Sequence, residues 1–228
     1  MSEKKTVEPQ YNYSLTLQEK SGYARFGLMS NRAWHEDPKR LAFILARYKF
    51  VSKMLSGCDH VLEVGCADAF GTRIVRQEVN RITAIDFDPA FIEDAKKIID
   101  PRWDYECKVH DMLTGPVSGS FEGAYSLDVI EHISVNDEQT FVGNIVKSLT
   151  PDGIAVIGSP SIHSQAYASY GSKAGHVNCK DAPGLKKLMQ IFFKNVFVFS
   201  MNDEVVHTGF YPMAHYLFAL CCGRRTQN

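Results

Sequence analysis

The chain lacks any run approaching the roughly twenty apolar residues that cross a bilayer, and its most apolar stretch, Tyr216 to Cys222, reads as a buried strand. Its opening, MSEKKTVEPQYNYSLTLQEK, has no apolar signal-peptide core. Paired CxxC spacing is missing among Cys58, Cys66, Cys107, Cys179, Cys221 and Cys222, and the adjacent Cys221 and Cys222 cannot readily bridge each other. A reducing cytoplasm is the expected setting. An excess of one charge is absent too: 25 Lys and Arg face 26 Asp and Glu, a net charge of -1. No global attraction to nucleic acid or to an anionic membrane is built in. Internal repeats and low-complexity linkers are also missing.

What is present is 228 residues, 45% hydrophobic and 22% charged, the composition of an ordinary globular domain. A chain of this size buries roughly 70% of its unfolded surface and needs no staples. We divide it into a polar lid segment, 1–37, expected to be mobile in its first twenty residues unless it folds over a ligand, and a single domain, 38–228. Within 38–55, Leu41, Ile44, Leu45, Tyr48, Val51 and Leu55 fall at helical spacing. Strands and helices then alternate: strands at 60–64, 81–86, 105–109, 123–127 and 153–157, helices at 71–78, 89–99 and 137–149. That rhythm predicts a parallel sheet covered on both faces, with ligands beyond the strand carboxyl ends. The Ser-, Tyr-, Gly- and His-rich segment 159–179 is long for a structureless loop, which suits a binding loop. A helix at 182–193 and two closing strands, 196–201 and 215–222, complete the reading; 202–215 is expected to be a turn.

The most informative stretch is VLEVGCADAFGT, residues 61–72. It is an apolar strand running into small residues, with Gly65 free to adopt dihedrals forbidden to other residues. The next strand ends in Asp86, where a carboxylate can accept both hydroxyls of a ribose. This pair signals a nucleoside cofactor. A dinucleotide site requires G-x-G-x-x-G to seat its pyrophosphate, but here the turn contains Asp68, which would repel it. Glu63 and Asp68 suit a cofactor with a cationic amino-acid end and no phosphate.

VLEVGCADAFGT, followed by ITAIDFDPAFIEDAKK, VHDML and AYSLDVIEHI, resembles the class I S-adenosylmethionine-dependent methyltransferases over roughly residues 40–200. The resemblance implies an α/β, Rossmann-like, seven-stranded and mostly parallel sheet with helices on both faces, its last strand antiparallel, plus an N-terminal helical lid. It implies S-adenosylmethionine as cofactor. Ala67 and Ala69 stand where the family's motif has its second and third glycines. By resemblance Glu63 is the acid ending the first strand, and Gly65, Cys66 and Ala67 are the turn beneath the methionine moiety. Asp86 is the ribose ligand with Phe87 beside it; His110, Asp111 and Met112 surround the adenine. Leu127 and Asp128 lie beside the transferred methyl.

Methyl transfer to a hydroxyl requires a proton acceptor, and His132, His163, His176 and His35 lie toward the opening of the sheet. His163 is the preferred base, then His176 and His132. The spacing Asp128-x-x-Glu131-His132, with His176, also offers a divalent set; we read Glu131-His132 instead as the start of a helix and assign no metal. No Asn-Pro-Pro-Tyr or Asp-Pro-Pro-Tyr segment and no Pro-Cys nucleophile is present, so the expected partner is a small polar acceptor, with neither nucleic acid nor membrane, acting on a monomer or homodimer. Tyr11, Tyr13, Tyr23, Trp34, Tyr167 and Tyr170 suit a sugar, a nucleotide-linked or a phosphorylated metabolite. The chain most resembles small stand-alone methyltransferases of bacterial polysaccharide and secondary-metabolite pathways, which implies O-methylation. A non-catalytic S-adenosylmethionine-binding protein and an N-methyltransferase are the alternatives.

Overall fold

The computed structural model describes residues 5–225. Its strands are β1 (His60–Val64), β2 (Arg81–Asp86), β3 (Glu106–Val109), β4 (Phe121–Leu127), β5 (Leu149–Pro160), β6 (Phe193–Asn202), β7 (Val205–His207) and β8 (Tyr216–Arg224). They form one sheet in the order β3-β2-β1-β4-β5-β8-β6-β7. Strands β1 to β5 pair in parallel, whereas β8 runs antiparallel to both β5 and β6. The expected seven-stranded pattern is present, and β7 adds an eighth strand by folding back on β6. That hairpin occupies much of 202–215, where a turn was expected. His207 helps close it: Nδ1 accepts the Gly209 amide at 2.9 Å and Nε2 meets Asn202 Oδ1 at 2.8 Å.

The helices are α1 (Asn12–Ser21), α2 (Leu28–Glu36), α3 (Lys39–Met54), α4 (Thr72–Arg76), α5 (Pro89–Lys96), α6 (Glu138–Ser148), α7 (Tyr170–Gly175) and α8 (Ala182–Gln190). Strand residues are apolar on both faces because both faces are covered. Leu62 and Val64 bury against Phe141 and Ile145 of α6 and Leu185 of α8. Val61 buries with Val51 of α3, Val75 of α4 and Ile92 of α5 on the opposite face. Local chemistry starts two of these helices: Asp88 accepts the Ala90 amide at 2.8 Å ahead of α5, and Asp181 accepts that of Gly184 at 2.8 Å ahead of α8, each with proline in the first turn. The twelve-residue β5 is longer than the expected 153–157, and its register against β4 shifts between Phe121 and Gly123.

Within the N-terminal segment, 12–21 is helical, with no residue buried. The following segment is fixed more firmly. The exposed amides of a helix's first turn need acceptors, and α2 takes them from distant carboxylates: Leu28 N donates to Asp94 Oδ2 at 2.6 Å and Ser30 N to Asp68 Oδ2 at 2.7 Å. Negative charge there also complements the helix dipole. A side chain on Gly27 would collide with that of Asp68, so the chain enters α2 with its backbone against the turn after β1. Phe26 packs on Phe70, ring centroids 5.1 Å apart.

Asp68→Ala therefore removes the acceptor of two amides, those of Ser30 and Phe70, and is expected to cost about 1–3 kcal/mol. Hydrogen exchange should speed up at Ser30 and Phe70 first, ahead of the sheet core, with Asp68→Asn retaining part of the protection.

Candidate functional site

The chain leaves β1 in one direction to reach β2 and, across the sheet, β4 flanks β1 on its other side. Such a reversal of strand order opens a crevice at the carboxyl ends. The turn entering it alternates left-handed residues: Gly65 at φ 78°, Ala67 at 45° and Ala69 at 53°. Only Gly65 adopts this without steric cost, and a Cβ there would strike the Val129 side chain. Each alanine carries about 1 kcal/mol of strain, so the two positions that depart from glycine keep the conformation glycine favours.

Carboxylates hold this turn. Asp86, 7% exposed, accepts the Ala67 amide on Oδ2 at 2.9 Å and that of Asp88 on Oδ1 at 3.0 Å. Glu63 is buried, accepting from Thr72 Oγ1 at 2.5 Å and Tyr48 Oη at 3.1 Å. Burial pushes its carboxyl up from 4.5 to about 7, against the pull of those hydroxyls. Asp68, expected to face a cationic ligand, instead spends its carboxylate on α2 and its own turn. The Cys66 thiol, beside Cys107, is buried and donates to the Ala67 carbonyl at 3.6 Å; it is held well above the ordinary thiol range and is no nucleophile.

Beyond Asp86, the Phe87 ring is 72% exposed. His110 donates its amide to the Asp86 carbonyl at 2.9 Å and turns its ring to the Gly115 carbonyl. Asp111 is exposed, with Oδ1 taken by the Leu113 amide at 2.8 Å. Met112 is a core residue, and its carbonyl accepts from Asn144. Phe87 follows β2 and the others follow β3, on one side of β1, while the end of β4 lies on its other side.

There Leu127 is buried and Asp128 adopts φ 57°. The Asp128 carboxylate receives Arg47 Nη1 on both oxygens, at 2.8 and 2.7 Å, and the Arg47 guanidinium lies 3.9 Å from the centre of the Tyr216 ring. Tyr216 Oη in turn accepts the Asp128 amide at 3.2 Å. Neither Arg47, on α3, nor Tyr216, on a strand that pairs with β5, carries a local signal of this contact.

Glu131 and His132 lie in a short 3-10 turn, 130–132, rather than starting a helix. The segment after β5 folds back on them because the Glu131 carbonyl accepts the amides of Val177 and Asn178 at 2.8 and 3.0 Å. Buried Glu138 anchors the return, accepting Asn178 Nδ2 and pairing with Lys180, each at 2.7 Å. His176 is thereby carried to His132, ring centroids 5.1 Å apart. Burial, then the Asp128 charge, push the Glu131 carboxyl up to about 8. His163 lies apart from this pair, exposed, its ring 6.2 Å from that of Tyr211. His35 is exposed on α2.

Residues 61–153 match the family model described as a methyltransferase domain. No curated protein matches the chain by sequence. Among solved structures, the chain is similar to the N-methyltransferase NodS from Bradyrhizobium japonicum WM9 in complex with S-adenosyl-L-homocysteine, at 22% identity over 85% of this chain and 91% of that one, with a TM-score of 0.60. The plantazolicin methyltransferase BpumL in complex with SAH is similar at 12% identity, covering 86% of this chain and 89% of that one, TM-score 0.64. The small RNA methyltransferase HEN1 is similar at 12% identity over 80% of this chain and 25% of that one, TM-score 0.65. Proteins whose acceptors differ this widely share the fold, so the fold alone does not choose an acceptor.

Two outcomes follow from the turn. Ala67→Gly relieves a left-handed alanine and should raise stability by up to about 1 kcal/mol, whereas Gly65→Ala should lower it by more, as read by thermal melting. Glu63 holds its proton more tightly in the folded chain, at about 7, than at its ordinary 4.5. Its stabilising effect is therefore complete below the lower value and lost as pH rises through the upper one. Glu131, at about 8, acts with the same sign and extends that window upward. The melting temperature of Glu63→Gln should depend less on pH than that of the wild type between these limits.

Proposed function

We propose that this chain, which has the class I S-adenosylmethionine-dependent methyltransferase fold, is an enzyme that uses S-adenosylmethionine to methylate a small polar acceptor, on oxygen. The observation that carries the reading is the left-handed turn of Gly65, Ala67 and Ala69 with the Asp86 carboxylate bonded across to Ala67, at the carboxyl ends of parallel strands. The group fits what is there. Each Asp86 oxygen accepts one amide and keeps a lone pair for a ribose hydroxyl. The exposed Phe87 ring offers a face to the adenine, with His110, Asp111 and Met112 along its edge, and Asp111 has one oxygen beyond the one its own turn uses. Gly65, Cys66 and Ala67 supply the backbone beneath the methionine end, with Glu63 behind them, and Leu127 and Asp128 border the methyl.

When bound, S-adenosylmethionine supplies an electrophilic methyl on a sulfonium centre. The chain's own residues must then orient the acceptor, exclude water and take a proton. We assign the proton to His163 and the holding of the acceptor to His132 and His176. The exposed rings of Tyr167 and Tyr170 and the lid segment 1–37, its second helix resting on the cofactor turn, suit a sugar, a nucleotide-linked or a phosphorylated acceptor, consistent with surface-polysaccharide or secondary metabolism. We place the domain at 38–228, acting as monomer or homodimer in the cytoplasm, with neither nucleic acid nor membrane as partner. Among the described residues no helix is long and apolar enough to cross a membrane.

Calorimetry with S-adenosylmethionine, S-adenosylhomocysteine and NAD tests the cofactor: the first two should bind and NAD should not. Asp86→Ala should weaken S-adenosylmethionine binding about 10- to 100-fold; unchanged affinity would overturn the site. His163→Ala should leave binding intact and lower kcat about 10²- to 10⁴-fold once an acceptor screen supplies a substrate. Product carrying N-methyl in place of O-methyl would reverse the acceptor class, and binding without any turnover across the screen would favour a sensor.

A further inference from the structure

Between the turn after β4 and the segment after β5 lie two imidazoles whose ring protons point elsewhere and one buried carboxyl. Glu131 is fully buried, and neither of its carboxylate oxygens has a hydrogen-bond partner. His132 Nδ1 lies 2.8 Å from the Gly175 carbonyl, and His176 Nδ1 lies 2.8 Å from Gln165 Oε1. Both partners only accept, so each Nδ1 holds the ring proton and each Nε2 presents a lone pair. The Gln165 amide is oriented independently, its Nε2 facing the Ser161 carbonyl and the Ser164 hydroxyl.

Donor atoms of Glu131, His132 and His176 lie within 4.8 Å of one another. Burial keeps the Glu131 carboxyl protonated while the site is empty, and a divalent ion would displace the proton and join the carboxylate to the two lone pairs. Arg47 Nη1 is held by Asp128 and Lys180 by Glu138, and no hydrogen bond from either cation reaches the Glu131 carboxyl. We propose that Glu131, His132 and His176 bind one divalent first-row transition ion.

Two imidazoles and one carboxylate favour manganese, iron, cobalt or zinc over magnesium or calcium. Imidazole ligands are commonly oriented, as here, by a carbonyl on their other nitrogen. Donors about 2.0–2.2 Å from a shared ion span at most about 4.4 Å, so a small side-chain adjustment closes the cluster. Asp128, the fourth residue of the spacing seen in the sequence, is not among the donors that lie within 4.8 Å of one another and pairs with Arg47 instead. Three protein donors leave coordination positions open, and, resting on the methyl-transfer reading, an acceptor oxygen is the ligand that fills one. The ion then holds the acceptor while His163, outside the cluster, takes the proton.

The test uses full-length protein stripped with chelator. Titration with Mn2+, followed calorimetrically and by electron paramagnetic resonance, should give one ion per chain; Co2+ should give visible bands of nitrogen ligation, and Mg2+ should bind at least tenfold more weakly. His176→Ala and His132→Ala, both at partly or fully exposed positions, should each weaken Mn2+ binding at least tenfold and alter the cobalt bands, with S-adenosylmethionine affinity unchanged. Glu131→Gln should do the same, and Mn2+ should raise the melting temperature of the wild type alone. Absence of a stoichiometric ion in the wild type, or wild-type affinity in the histidine variants, would overturn the site. Ion binding without S-adenosylmethionine binding would instead sink the methyltransferase reading and leave the cation site standing.

Discussion

One hydrogen bond, from the Ala67 amide to the Asp86 carboxylate at 2.9 Å, ties the turn after β1 to the end of β2. The turn must reverse direction above a sheet buried on both faces, and it does so through left-handed residues, two of them alanines. Strain of that kind persists only where the surroundings over-determine it. Here the surroundings are acids: Asp86 from the next strand, Glu63 from inside the core, and Asp68 clasped by the start of α2. All three carboxylates hold the turn through backbone and hydroxyl groups.

The opposite side of the crevice is organised by buried charge. Pairs such as Arg47 with Asp128 and Lys180 with Glu138 gain little net stability, because desolvation offsets attraction. What they supply is position. Arg47 brings α3, β4 and the Tyr216 ring of β8 to one point. Glu138 brings the strand-following segment back across the 130–132 turn. Among the described residues Glu131 is left as a buried carboxyl without a hydrogen bond, and its two histidine neighbours are left with electron pairs free. The unpaired groups sit where the paired ones have fixed the backbone, as a binding site requires.

Much of the fold was legible in the sequence because its signals are local. Alternation of apolar runs with helical spacing marked β1 to β5 and the helices between them within a few residues. Pro89 and Asp88, or Pro183 and Asp181, mark helix starts through contacts only a few residues apart. The short strand β7 escaped because three residues, Val205–His207, have no periodicity to read. The helix at 12–21 escaped because none of its side chains is buried, so no apolar stripe announced it.

The site divides along the same line. Glu63, Gly65, Ala67, Asp86 and Asp128 stand out in the sequence, since each lies at or just past the carboxyl end of a strand. Which of them is free to meet a ligand could not: Asp68 turned to α2 and Asp128 to Arg47, 81 residues away in the chain. Likewise His132 and His176 are two histidines among eight until the Glu131 carbonyl and the Glu138 carboxylate draw their segments together. The sequence determined the order of strands and helices and the chemistry waiting at the strand ends, because dihedral preference and hydrophobic spacing act between neighbours. Tertiary structure alone decided which carboxylates are spent and which lone pairs converge, because a hydrogen bond or an ion pair acts only at a distance of about 3 Å, and only the folded chain brings remote residues that close.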